Sequence, residues 1–487
     1  MFAHAGIEPL IISYTRRSGA GVFPQHRCFA RLAAAGLLGT IAALFAACDR
    51  AYTDLEPNDA ALLGNLTIAA KAAETSWPGY KPFSAPLMFV RSGTSAVLIE
   101  HPHPPSDFNR ARFSGLKVFI SRQPPEIGSL FLRKYILNKV PITVIRYDDK
   151  QTPSVNIAVA IHEHFHDYQD SWRVISYDQN YGTKDAEDVA MATIEQECLA
   201  GTLESRRQSD LDCFLALRIS RYGRFPVATL ERDQERREGT ARFVDYESRA
   251  AAYGLQEGLP DLIAHLRQPA TVDQMGHSRS YFTGAALCYI LAREAHGTWE
   301  KEIEGGQGPY DLVAKLHPMT DADARRITTS LMQSPRYTKA LDAARRGLAA
   351  WQRRRRDAIA RFMKTPGTHV RLMTGRMTNS GKLDTYYSSS GEEFEVEVGK
   401  KLLENADSYQ SKAPGWDCDV RNRTVLFGED AEFVVSSTAA MKLNGKAWRP
   451  VKNTTKFQTF ELSEPGAVLR ISDGNVKFDG KLLELYQ

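Results

Sequence analysis

Residues 157–161, Ile-Ala-Val-Ala-Ile, form an unbroken apolar run, and the chain turns polar again at Asp167, Gln169 and Asp170. This pattern predicts a helix that is buried on all sides at its start and returns to solvent at its end. Pro153 sets its N-terminal boundary near Ser154. Ahead of it, a helical lead-in over 51–76 gives way to short strands at 86–90 and 96–100, around Ser92-Gly93-Thr94. Two more follow at 116–121 and 141–147, the second alternating Ile142 and Val144 against Thr143 and Ile145. Beyond the apolar helix the period is helical to about residue 364, over 186–205, 211–221, 228–253, 259–266, 280–296 and 322–363. A small sheet followed by helices is an α+β sequence.

Thr365-Pro366-Gly367 breaks that character, and the period falls to two, with strand-like runs at 368–373, 393–398, 424–426, 432–435, 457–462 and 468–471. Asn444-Gly445, Asp473-Gly474 and Asp479-Gly480 read as turns between such runs. Residues 366–487 are therefore expected to form a separate β-rich accessory domain of sandwich type. There is no internal repeat.

Composition changes this picture little, since 43% apolar and 25% charged residues are ordinary for a folded chain. The formal charge of +4 falls to about +1 without residues 1–47, which carry Arg16, Arg17, Arg27 and Arg31 against Glu8, so nucleic acid is not implied. Arg353 to Arg356 lie in a charged, Ala-rich helical stretch over 339–363 and read as a solvated face. Arg27 and Arg31 precede an apolar stretch over 32–47 that ends at Cys48 and Asp49-Arg50, the layout of a secretion signal. That stretch is shorter than the roughly 20 residues a membrane span needs. Leu44-Phe45-Ala46-Ala47-Cys48 resembles a bacterial lipobox, implying cleavage before Cys48 and a membrane anchor through its acylated thiol; ordinary signal-peptidase cleavage nearby is the alternative. Cys28, Cys48, Cys198, Cys213, Cys288 and Cys418 show no C-x-x-C spacing, and a Cys198–Cys213 disulfide is weighed against buried free thiols.

The helix over 154–170 carries the chemistry: His162-Glu163-His164-Phe165-His166 is H-E-x-x-H. His162 and His166 fall one turn apart on one face, where both rings can hold a single zinc ion, and Glu163 beside them is the general base. His164 faces away and is expected to pack. A catalytic zinc takes three protein ligands, and Glu195, Glu197 and Glu238 compete for the third place. Glu238 is favoured because Gly239 and Ala241 would let its helix approach the histidine helix closely.

With these motifs the chain resembles the gluzincins, zinc peptidases with two histidines and a glutamate as ligands, and is similar to bacterial zincin-like lipoproteins. Glu238 to Phe243 match the E-G-x-A-x-[YF] that begins at the third ligand in their aminopeptidase branch, and Tyr281 to Ala285 match its later Y-x-x-G-A. The resemblance implies a zincin-like metallopeptidase domain over 48–365, one Zn2+ per chain on His162, His166 and Glu238, and a polypeptide substrate. It also implies Tyr281 as donor to the developing oxyanion, with His277 a weaker substitute nearby. Seventy-one residues separate His166 from Glu238, and no G-x-M-E-N motif is present, so exopeptidase specificity does not carry over. The 141–147 strand is the expected bed for an extended substrate. A catalytically inactive binding lipoprotein on the same scaffold and a zinc hydrolase of non-peptide amides or esters are the alternatives.

Overall fold

In the computed structural model, the described residues are 53–486 apart from 92, 126–130, 148–151, 173–184, 276–277, 296, 374–383, 390–392, 398–399, 414 and 429. The expected signal segment 1–47, Cys48 and His277 lie outside them. The architecture is mixed, a sheet and a helical region followed by a β-rich region.

Helix α1 (Pro57–Ser76) precedes six strands: β1 (Leu87–Arg91), β2 (Ser95–Ile99), β3 (Asn109–Ala111), β4 (Val118–Ser121), β5 (Phe131–Leu137) and β6 (Val140–Arg146). They form one sheet in the order β3-β4-β2-β1-β6-β5, with β1 and β6 parallel and the other pairs antiparallel. Strand alternation splits the apolar residues between two faces. Leu87, Phe89, Val97, Ile99 and Ile145 enter the main core, whereas Met88, Val90, Leu98, Ile142 and Val144 form a smaller cluster behind the sheet. The histidine helix α2 (Pro153–Gln169) supplies Ile157, Ala160, Ile161 and Phe165 to that main core.

One expectation is corrected here. Strand β6 is hydrogen-bonded on both sides, to β1 and β5, so it has no free edge to offer an extended substrate; among the described residues the edge strand on that side of the sheet is β5. Its sequence, Phe-Leu-Arg-Lys-Tyr-Ile-Leu, hid it, because charges sit at its centre and its register slips between Leu132 and Tyr135. Arg133 from that centre reaches Asp167 at 3.0 Å and Asp170 at 2.8 Å on α2, and Thr143 donates to Asp167 at 2.6 Å.

The helical region continues with α3 (Ala186–Ser205) and α4 (Gln208–Arg224). Helix α5 starts over Glu231–Gln234, widens into a π turn over Glu235–Gly239 and resumes over Thr240–Tyr253. Then come α6 (Leu259–Leu266), α7 (Ser278–Glu294), α8 (Trp299–Glu304), α9 (Pro309–Leu316), α10 (Asp321–Met332) and α11 (Pro335–Lys364). The continuous helix expected over 322–363 is broken because Pro335 lacks an N–H, and Ser334 caps the new start by accepting from the Tyr337 N–H. Of the two states weighed for Cys198 and Cys213, the disulfide is the one present, joining α3 to α4 with Cα atoms 6.2 Å apart; Cys288 and Cys418 are free and buried. Arg353, Arg354 and Arg356 are exposed on α11, as a solvated face requires.

The β-rich region runs from β7 (Thr368–Leu372) through β8 (Asp384–Ser389), β9 (Glu393–Glu397), β10 (Lys400–Ala413), β11 (Trp416–Val420), β12 (Arg423–Phe427) and β13 (Ala431–Val435). It ends with β14 (Ala440–Leu443), β15 (Lys446–Ala447), β16 (Thr454–Glu464), β17 (Ala467–Phe478) and β18 (Leu482–Tyr486). Pairing runs β11-β10-β12-β13-β7-β18-β17, and β11 also pairs β17, so the path closes on itself instead of forming a two-sheet sandwich. Closure depends on β17 dividing one edge: residues 467–471 face β11 and 475–478 face β18. Asp473-Gly474, expected as a turn, marks that change of partner within the strand. A Cβ at Gly474 would lie 2.6 Å from the Tyr486 carbonyl oxygen. Asn444 (φ 50°) and Gly445 (φ 75°) do form a hairpin turn, between β14 and β15. Among the described residues no helix is long and apolar enough to cross a membrane.

Candidate metal centre

The i, i+4 spacing on α2 sets the His162 and His166 rings 4.7 Å apart and nearly perpendicular, both buried. Glu238 Oε2 lies 3.2 Å from His162 Nε2 and 3.1 Å from His166 Nε2, and the three ligand atoms all fall within 4.8 Å of one another. Tetrahedral zinc with bonds of about 2.0–2.1 Å would need donor atoms roughly 3.3 Å apart, and Glu238 Oε2 already stands at about that separation from each imidazole. The other Glu238 oxygen faces Arg237 Nε at 3.7 Å. His164 points away, as expected, with Nδ1 3.2 Å from the Tyr80 hydroxyl and Nε2 3.0 Å from the Ala85 carbonyl oxygen.

The helix carrying Glu238 does pack against the histidine helix, as expected, but Gly239 faces another neighbour. Gly239 abuts α7: a Cβ on Gly239 would lie 2.4 Å from Gly284 Cα, and one on Gly284 would lie 2.6 Å from the Glu235 carbonyl oxygen. Ser280 donates to Gln234 at 3.2 Å and Thr283 to Glu235 at 2.6 Å along the same seam. The two motifs that suggested the resemblance thus meet each other, and the glycines serve the α5–α7 contact. Tyr281, one turn before Gly284, is brought to the site by this crossing. Its ring stacks on His162 with centroids 5.4 Å apart and planes within 9°.

The competing glutamates are elsewhere. Glu195 is fully buried among arginines, accepting from Arg218 at 3.1 Å, Arg221 at 3.2 Å and Arg279. Glu231 accepts from Arg221 and Arg279, each at 2.7 Å, while Glu235 takes Arg218 at 2.9 Å. This solvent-free lattice of charges backs the π turn from behind. Glu197 pairs with Arg336 at 2.7 Å on the surface.

Two site residues escaped sequence reasoning. Gln169, read as returning to solvent, is buried, and its amide nitrogen donates to the Arg237 carbonyl at 2.8 Å and to Thr240 Oγ1 at 2.7 Å. Its oxygen therefore faces His166 and accepts from Nδ1–H, which leaves Nε2 free to bind a metal. Asp245, wholly buried, sets Oδ2 3.4 Å from His162 Nδ1 and 3.0 Å from Arg242. The available signals were weak: Gln169 lies three residues after His166 and Asp245 two helical turns after Glu238.

Burial and these charges tune the protons. Burial alone pulls His162 down, but hydrogen bonding to Asp245 and Glu238 overcomes it and raises the ring to about 9. Burial pushes Glu238 up, yet the neighbouring His166 and His162 hold it well below the usual carboxylate range. Glu163 moves the other way: burial raises it, helped by Glu238 and opposed by the two histidines. Tyr281 also packs under the Arg242 guanidinium, 5.5 Å from its ring centroid. The arrangement is a buried set of two imidazoles and a carboxylate able to hold a metal ion, with a second, proton-prone carboxyl alongside. No protein-family model, curated protein or solved structure matches this chain.

Proposed function

We propose that this chain is a zinc-dependent metallopeptidase of gluzincin type, exported and held to a membrane through a lipid on Cys48. The observation that carries the catalytic part is the buried His162–His166–Glu238 triplet with Glu163 next to it. When bound there, zinc would supply Lewis acidity, activating water at neutral pH and polarising the scissile carbonyl. Glu163, whose carboxyl is pushed toward retaining a proton, takes the proton of the attacking water and passes it to the leaving amine. Tyr281 donates a hydrogen bond to the developing oxyanion from its place beside His162. Strand β5, at an edge of the sheet among the described residues, would take the substrate polypeptide in the role first expected of the 141–147 strand.

Zinc content and a peptide-library digest of the purified chain and of Glu163→Gln test this reading. The expected result is about one zinc in both and cleavage by the parent alone. A variant that cleaves at the parental rate would remove Glu163 from the mechanism. Absence of zinc would favour the inactive binding lipoprotein, and zinc without cleavage sensitive to Glu163→Gln would favour a non-peptide substrate. Labelling with a fatty-acid analogue, lost in Cys48→Ala, tests the anchor.

A further inference from the structure

We infer that Gln169 is a positioning residue that ties the histidine helix to the π turn carrying Glu238, and that this tie sets the affinity of the site for its metal. The inference rests on the metal reading above. Gln169 closes α2, and its amide spans two elements: the oxygen holds His166, while the nitrogen donates to the Arg237 carbonyl and to Thr240 Oγ1 on either side of Glu238. Thr240 in turn donates to the Arg236 carbonyl at 2.7 Å. All of these groups are buried or nearly so, and Gln169 itself is 6% exposed.

The reason such a tie is needed lies in the π turn. A π turn inserts one extra residue into a helix, and local hydrogen bonding does little to say at which residue the insertion falls. Were it to slide by one position, Glu238 would swing by about 100° around the helix axis and its carboxylate would leave the histidines. The Gly239–Gly284 contact fixes how close α5 comes to α7, but that contact lies on a different neighbour. Gln169 links the turn to the helix that carries the other two ligands. It therefore fixes the distance between the His166 Nε2 and Glu238 Oε2 donors before any ion arrives, and preorganised ligands bind with less reorganisation.

The test uses Zn2+ affinity by chelator competition and the visible absorption of the Co2+-loaded full chain, neither of which depends on turnover. Gln169→Leu removes both halves of the tie and is expected to weaken Zn2+ binding about 10–100-fold. Thr240→Val touches no ligand and leaves the hold on His166 intact, and it removes one of the two acceptors through which Gln169 grips the π turn, the Arg237 carbonyl being the other. It should weaken Zn2+ several-fold and shift the cobalt spectrum, and the double variant should bind no worse than Gln169→Leu alone, since both act through one contact. Should Gln169→Leu fail to fold, Thr240→Val carries the test. Unchanged affinity and spectrum in Thr240→Val would overturn the link through Thr240 on which the tie is argued, and unchanged affinity in Gln169→Leu would overturn the tie altogether. A parent chain that binds neither ion would overturn the metal reading itself, and this inference with it.

Discussion

His162 is the residue on which a proton and a metal ion would compete. Without an ion its ring is held near 9 by Asp245 and Glu238, so in neutral solution it carries a proton that a metal must displace. Zinc affinity should therefore fall as the pH drops below about 9, and titration calorimetry in buffers of different ionisation enthalpy should register release of about one proton at pH 7. The sign for the metal-free fold is the reverse. A histidine raised above its unfolded value of about 6.5 adds stability that is full below that pH and is lost as the pH climbs through about 9. At this scale the sequence was half legible. His162 and His166 announce themselves by spacing, but a buried glutamine and a buried aspartate look like solvent-facing polar residues until their partners fold against them. Removal of Asp245 as Asp245→Ala should lower zinc affinity by about 10–100-fold, read by the same chelator competition.

Among the elements, α5 and α7 show how a short motif becomes geometry. Gly284→Ala would push a methyl against the backbone of Glu235 and Gly239. The expected cost is about 1–3 kcal/mol of stability by denaturant titration, with weaker zinc binding because the π turn moves. The buried arginine cluster predicts a different outcome. Glu195→Leu takes one buried carboxylate from three guanidinium groups that keep Glu231, Glu235 or Asp188, and should cost roughly 3–5 kcal/mol through the charge left uncompensated, yet the folded fraction should still take up one zinc, because Glu195 is no ligand. Periodicity located most of the helices to within a few residues, and the apolar strands β1, β2 and β6. It missed β5, whose charges face α2, and β10, a strand of fourteen largely polar residues. A strand bedded in ion pairs carries no apolar alternation to read.

For the whole molecule, the candidate metal site joins α2 and α5 within one core, whereas the closed β region has an apolar core of its own. Zinc loading should accordingly slow amide exchange in α2 and around the π turn of α5 and leave β16 and β17 unchanged. Zinc at a thousand times its dissociation constant should stabilise the first region by about 4 kcal/mol, which a chelator would abolish. The order of sheet and helices was visible in the sequence as a change of period. Closure of the β region was not, since it depends on which strand pairs which.

That closure has a consequence for biosynthesis. Strand β18 slots between β7, to which it runs parallel, and the far half of β17. Until residues 482–486 have been made, β7 and that half of β17 each present an open edge with apolar side chains behind it. A nascent chain stalled between residues 478 and 482 would carry an almost finished cylinder with one missing stave, competent to pair with a strand from another chain. Folding of this region must therefore wait for its most distant partner, and truncation there should yield aggregates instead of a smaller soluble protein.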